Sequence, residues 1–364
     1  MVDDDIRLLR DAGHEVLAWT PEPVRPERQG TIGLARTSLG SLWSRRASAQ
    51  LRRFVRDRRP DVVHVHNLYP MLSPTVLRTA HDLELPAVMT LHNYRLLCLP
   101  ATLERDGSVC ERCVGHLPWQ GVRFRCYRGS AAGSAVVATS LTLHRSVGSF
   151  DMVSRFLPVS GFVLDKYVEA GFEAARMRVR ENFAWDAPRR QGAGDYFLYA
   201  GRLSREKGVE NLLKAWDPNL GHLVIAGTGP EEARLRAAEV GGVEFAGALS
   251  PEALRGVVAG ARAMVVPSIG YETSGKVVME AFASGVPVIA SRIGALPEAV
   301  EDGISGLLVA PEDPRGWASA IRALGDDATS VRLGAGAIER WRQRYAPARG
   351  LEGLEAAYEA AIGG

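Results

Sequence analysis

Between an apolar run ending at Pro267 and a helical run lies a Gly/Ser/Thr-rich loop carrying Glu272, Thr273, Ser274, Gly275 and Lys276, with Glu280 farther along. The apolar run reads as a buried strand, and the helix reads as starting near Gly275 and stopping at Gly285. Such a loop aims backbone N–H groups at whatever sits beyond the strand. A helix N-terminus adds about half a positive charge, so a phosphate is favoured there. Lys276 would contribute a full charge. Glu272 and Glu280 are far enough apart to serve two parts of one ligand, a sugar at the loop and hydroxyls beyond it.

A second strand-to-helix turn reads Gly201-Arg202-Leu203-Ser204-Arg205-Glu206-Lys207-Gly208. Arg202 offers a planar fork and Lys207 a mobile ammonium, a pair that can share one diphosphate. A third, Gly227-Thr228-Gly229-Pro230, permits close backbone approach. It is not the dinucleotide fingerprint, which needs three spaced glycines opening a helix. Taken singly, these are a solvated Glu pair, an exposed basic turn and an αL turn; their common position at strand ends gives them weight.

The elements that must hold them follow from the wider pattern. A chain of 364 residues is long enough for two domains with separate cores. Hydrophobic residues at 46% and charged residues at 24% exclude a disordered or fibrous chain, and 44 basic against 42 acidic side chains give no general argument for nucleic acid. Lysine occurs at only four positions (Lys166, Lys207, Lys214, Lys276), so two of the four falling in candidate loops is notable. No run approaches the length of a membrane span, and the acidic N-terminus is unlike a secretory signal; the expected location is the cytoplasm.

Short apolar runs alternate with helical stretches, the pattern of strand-helix units around parallel sheets. Strands are expected over 15–20, 61–65, 87–91, 156–159, 177–180, 196–200, 222–226, 243–246, 263–267, 287–290 and 306–309. Their near-continuous apolar character means that both sheet faces are covered. The polar, Pro/Gly-rich segment 186–194 marks a boundary, which gives an N-terminal domain over 1–185 with a Cys-containing insertion over 95–130, a second domain over 186–346 and a terminal helical segment over 347–364. Helical spacing begins almost at Met1, so either an opening strand and glycine turn lie upstream or the first domain lacks its usual first strand.

Gly201-Arg202-Leu203 with Lys207-Gly208, then Gly227-Thr228-Gly229-Pro230, then Glu272 to Glu280 followed by Glu280-Ala281-Phe282-Ala283 and Gly285-Val286-Pro287, resemble the retaining glycosyltransferases of the family-4 type. In the first half Gly13-His14-Glu15-Val16, Pro60-Asp61-Val62-Val63-His64-Val65-His66 and Thr90-Leu91-His92-Asn93 look like that family's acceptor-side strands. The resemblance implies an α/β GT-B fold, two Rossmann-like domains facing a cleft, with the C-terminal helix crossing back onto the first. It implies a UDP- or GDP-sugar donor on the second domain and a small-molecule, glycan or lipid-linked acceptor on the first. By matching position, Arg202 and Lys207 would grip the diphosphate, with the Gly227 and Gly229 loop and the amides of Thr273, Ser274, Gly275 and Lys276. Glu280 would bind ribose hydroxyls, Glu272 the donor sugar, and His92 would face the reacting centre. No catalytic cofactor is implied. Ser274 departs from the bulkier residue usual in the family. A sugar-nucleotide epimerase of the same fold, which needs no acceptor, and a non-catalytic nucleotide-sugar-binding subunit are the alternatives; product analysis with donor alone separates them from a transferase.

Two features stand outside that set. Cys98, Cys110, Cys113 and Cys126 include one C-x2-C pair; they could enclose a structural zinc, remain reduced thiols or pair as disulfides. Seven arginines over 45–59, interleaved with Leu51, Phe54 and Val55, would form either an ordinary solvated helix face or a surface for anionic lipid.

Overall fold

The computed structural model describes residues 1–20, 40, 42–69 and 72–363. It divides into two compact units. The first takes the chain to Leu103, Cys110–Arg180 and the segment from Leu351 onward; the second takes Glu104–Val109 and Glu181–Gly350.

In the first unit, β1 (Val63–Val65), β2 (Ala87–Leu91) and β5 (Arg155–Pro158) form a parallel sheet in the order β1-β2-β5. Every residue of β2, the central strand, is buried, as its unbroken apolar run requires. Two expected strands are absent. Residues 15–20 pair with no strand among the described residues: they are half or fully exposed, and a lone apolar run without a ladder neighbour is not a strand. Residues 177–180 run beside β5, Arg178 N–H to Phe156 O at 3.0 Å and Arg180 N–H to Pro158 O at 2.9 Å, but form only the isolated bridge Phe156↔Met177 rather than a strand.

Arg180 meets Asp5 of the helix Val2–Asp11, Nη2 to Oδ1 2.6 Å, with both side chains almost fully buried (1% and 3% exposed). The terminal helix Pro347–Ile362 contributes its later turns to this unit, where Glu355 meets His14 and Tyr358 meets His64. The arginine-rich helix is Arg45–Val55, capped by Ser44. Its apolar face, Ala47, Leu51 and Val55, is buried in the unit, so it has no apolar stripe to insert into lipid; what it exposes is arginine, one of them paired to Asp82.

The antiparallel hairpin β3 (Glu104–Arg105) and β4 (Ser108–Val109) turns at Asp106-Gly107, both with positive φ, as two-residue hairpins favour.

The second unit holds six parallel strands, β6 (Tyr196–Ala200), β7 (Leu223–Ala226), β8 (Val243–Gly247), β9 (Ala261–Val266), β10 (Val288–Ser291) and β11 (Gly306–Val309). Their order is β11-β10-β9-β6-β7-β8. Alternate residues serve opposite cores: Leu198, Val224, Met264 and Val288 join one with Phe282 and Trp341, while Phe197, Ile225, Val265 and Ile289 join the other with Trp317. That period of two with both faces apolar is why these strands were readable from sequence.

Candidate functional site

The strand order of the second unit reverses between β6 and β9. In such sheets the loops leaving the carboxyl ends of the two central strands diverge and leave a crevice for ligand. Those loops are 201–208 after β6 and 267–275 after β9, two of the three segments singled out by residue type. The third, 227–230, follows the adjacent β7.

Backbone contacts knit the three together. Leu203 N–H donates to Thr228 O at 2.9 Å, and Gly201 N–H to Ala226 O at 3.0 Å. A Cβ on Gly227 would lie 1.9 Å from Gly201 O, and one on Gly208 (φ +68°) 1.9 Å from Pro267 O, so these approaches exist only because both residues are glycine. Ile269 and Gly270 N–H groups both donate to Glu206 O.

This scaffold brings Lys207 to Glu272: Nζ donates to Oε1 at 2.7 Å. Ser268 Oγ donates to the same carboxylate oxygen at 2.6 Å. Glu272 is thereby fixed in orientation, and its backbone carbonyl is held by Ala295 N–H at 2.9 Å. Tyr199 beneath the loop donates its hydroxyl to Arg202 O at 2.7 Å. Burial, then the charges of Glu272 and Glu206, push that phenol well above its ordinary range, so it stays a donor. Arg202 itself is exposed.

The helix after β9 is Lys276–Ala283, and Gly275 starts it in the left-handed region (φ +61°) with no side-chain cap. Ser274 is buried and accepts from Asn182 Nδ2 at 2.7 Å. Lys276 and Glu280 lie one turn apart, Nζ to Oε1 3.7 Å. Thr273 sits half-buried between Glu272 and Ser274. The residue types of these loops were legible in sequence; Ser268, Tyr199 and Asn182 were not, because nothing local marks a partner that tertiary packing supplies.

In the first unit His92 follows β2 and joins a histidine cluster. His66 Nδ1 and His92 Nε2 share a hydrogen bond of 2.8 Å, with rings stacked 5.2 Å apart. His64 sits 4.2 Å from the His66 ring and bonds Thr90 Oγ1 at 2.7 Å and Tyr358 Oη at 2.8 Å. Burial is the main force lowering the pKa of His66 and of His92 to about 4; Arg180 adds to it for the first, and His66 for the second. All three imidazoles are therefore neutral at pH 7, and His64 is held well below its usual value by burial first. The signal was present in sequence: His64 and His66 alternate along β1, and Thr90 and His92 along β2, so each pair shares a face of neighbouring strands.

Among the described residues no three Cys, His, Asp or Glu side chains gather as ligands, and none of the four cysteines is paired in a disulfide. Cys98 and Cys113 are buried, and burial raises both thiol pKa values, Cys98 to about 11. Cys110 and Cys126 are half-buried.

Two family matches divide the chain between them. Residues 2–182 match the family described as Glycosyl transferase 4-like domain, and residues 194–327 match Glycosyl transferases group 1. The D-inositol 3-phosphate glycosyltransferase of Corynebacterium glutamicum is 38% identical over 161 residues, 40% of this chain. The chain spans only 38% of that relative's length in the match. The glycogen synthase of Mycobacterium tuberculosis is 30% identical over 301 residues, 79% of this chain and 66% of the relative. Among solved structures, the sucrose-phosphate synthase of Thermosynechococcus elongatus superposes with a TM-score of 0.67 at 19% identity, over 100% of this chain and 92% of that one. Anabaena HepE in complex with UDP-glucose superposes with a TM-score of 0.63 at 17% identity, over 96% and 88%. Both similarities describe an α/β fold of two Rossmann-like domains.

Proposed function

The chain belongs to the family-4 type of glycosyltransferases, and from that premise we propose that it is a retaining transferase moving a sugar from a UDP- or GDP-sugar to an acceptor hydroxyl. The observation that carries this reading is the Lys207–Glu272 contact, made by the two loops that flank the reversal of strand order. It sets a cation for phosphate and a carboxylate for sugar side by side. The HepE structures, with UDP, UDP and glucose, or UDP-glucose bound, support a uridine nucleotide as the first donor to test.

In the proposed reaction the bond from the anomeric carbon to the diphosphate breaks as charge develops on the departing phosphate. Arg202, Lys207 and the amides at the start of the Lys276–Ala283 helix stabilise that charge, which is electrostatic catalysis needing no metal. Glu272, oriented by Lys207 and Ser268, meets the sugar, and Glu280 meets ribose hydroxyls. The acceptor oxygen attacks from the same face, and its proton passes to the leaving phosphate oxygen. His92, neutral and fixed by His66, is the residue the first unit would offer to the acceptor. Acceptors that fit this chemistry are small alcohols, glycans or lipid-linked saccharides.

A thermal-shift panel of nucleotide sugars identifies the donor, because a ligand that binds only the native state raises the melting temperature. With the best donor, Arg202→Ala and Lys207→Ala are each expected to weaken binding by about 1.5 to 3 kcal/mol, the cost of a lost hydrogen bond to a charged group. Unchanged affinity in both variants removes the assignment.

A further inference from the structure

Next to the histidine cluster, at the carboxyl ends of β1 and β2, lies a shallow, partly open pocket whose walls include His66, Tyr69, His92, Arg95 and Tyr167. Some cations of this unit are neutralised, while others, Arg78 and Arg176 among them, meet only backbone carbonyls among the described residues. Arg180, Lys166 and Arg52 each face a carboxylate: Asp5, Glu111 with Glu169, and Asp82. Arg95 faces none among the described residues. It donates one Nη1 hydrogen to Leu99 O and lies 5.4 Å from the centre of the Tyr127 ring. The ionisable groups acting on it are Tyr127, Cys98 and Tyr69, with Arg128 as a further cation.

Arg145, from the helix Ala131–Ser146, repeats the pattern behind the same wall. It donates to Leu96 O at 2.5 Å and His116 O at 3.3 Å, its buried Nε has no partner, and it acts on Tyr69 and Tyr167. Both guanidiniums are partly stripped of water without a counter-charge, and that is costly unless something else neutralises them.

Pinning the loop accounts for only part of this. Five of the eight non-glycine residues with positive φ among the described residues, Ala101, Leu103, Asp106, Arg125 and Arg128, lie in this stretch, so carbonyls there need donors. A neutral donor would satisfy Leu99 O equally well. A fork with unused N–H groups, lining a pocket, is instead the recognition geometry for two oxygens of one anion.

We infer that this pocket binds an oxyanion carried by the acceptor, a phosphoryl or carboxylate group seated on Arg95 beside Tyr69, within reach of the acceptor-side His92. The inference deepens the transferase reading and rests on it for the word acceptor; the anion site itself does not.

The test titrates inorganic phosphate and, separately, acetate at constant ionic strength into the full chain, read by thermal shift, with Arg95→Gln, Arg95→Lys, Arg202→Ala and Arg52→Ala alongside. The dissociation constant of the tighter anion is expected to rise about tenfold or more in Arg95→Gln, less in Arg95→Lys, and to stay within about twofold in Arg52→Ala, a control whose exposed guanidinium is paired to Asp82 and lies in neither site. A preference for phosphate identifies a phosphorylated acceptor, and a preference for acetate a carboxylated one. No anion binding to the wild type, or loss in Arg202→Ala but not in the Arg95 variants, overturns the inference. Arg95→Lys keeps a cation to hold Leu99 O, so it reports on the fork even if Arg95→Gln does not fold. UDP and GDP titrated into the same proteins separate the two readings: nucleotide affinity that survives in Arg95→Gln and falls in Arg202→Ala upholds the donor loops whatever the anion does. An anion site lost in Arg95→Gln in a protein that binds no nucleotide upholds the pocket and refutes the donor.

Discussion

The two candidate sites sit at the same place in the same kind of sheet, at the carboxyl ends of parallel strands, yet they handle charge in opposite ways. The loops of the second unit keep their charges: Lys207 and Glu272 form a half-buried pair, and Arg202 is exposed. The histidine cluster of the first unit gives its charges up, since burial holds three imidazoles neutral and what charge it has is locked in the buried Arg180–Asp5 pair beneath. Charges that still reach solvent can be redirected to an anionic ligand, whereas desolvated neutral imidazoles serve to place and accept hydrogen bonds. The first arrangement suits a diphosphate that arrives and leaves; the second suits a hydroxyl that must be positioned.

The largest expected effect breaks the contrast at its buried end. Asp5→Ala removes the buried carboxylate that faces Arg180, and chemical unfolding should register a loss of about 3 to 5 kcal/mol, whereas Arg52→Ala, which removes the exposed pair with Asp82, should cost no more than about 1 kcal/mol. Equal losses would mean that the buried charge is not confined as described.

Next in size is the backbone of the donor loops. Gly208→Ala and Gly227→Ala each drive a methyl into a carbonyl oxygen, for which about 3 kcal/mol or more is expected together with loss of nucleotide binding. Gly13→Ala in the first unit has positive φ and open space around it, so strain alone applies, about 1 to 2 kcal/mol. A Gly208→Ala protein as stable as Gly13→Ala would show that the loops are not locked together.

Acid should sharpen the comparison. His66 and His92 have folded pKa values of about 4 against an ordinary 6.5, so between those values the unfolded chain holds more protons and stability falls as pH drops. The slope is about 1.4 kcal/mol per pH unit for each imidazole that is protonated in the unfolded chain and neutral in the folded one, and repulsion between the first and second proton in the folded pair keeps it from falling off early. Replacing His66 by Gln should flatten the pH 6 to 4 limb of a stability profile; an unchanged limb would place the titration elsewhere.

The smallest effect concerns the thiols. At pH 8 a thiol reagent should label the half-buried Cys110 and Cys126 before Cys98 and Cys113, whose thiols are buried and raised in pKa. The reverse order, counted by mass spectrometry of peptides, would contradict that packing.

Much of the second unit was readable in advance because fully buried parallel strands are almost uninterrupted apolar runs, and all six formed within two residues of the expected limits. The three loops were found by residue type at strand ends. What stayed invisible was contact between them: Lys207 and Glu272 are 65 positions apart and meet only because β6 and β9 become neighbours. The first unit was harder. Residues 15–20 have strand composition but no strand partner among the described residues, and the Asp5–Arg180 pair joins residues 175 apart with no local sign of it. Alternation placed the histidines on one face, yet their neutrality depends on burial that only the packed structure reveals.

Soaking a crystal of the full chain with UDP or GDP tests the donor loops most directly. The account predicts phosphate oxygens within hydrogen-bonding distance of Arg202, Lys207 and the amides of Ser274 to Lys276. A nucleotide bound with its phosphates elsewhere, or none bound at saturating concentration, would contradict it.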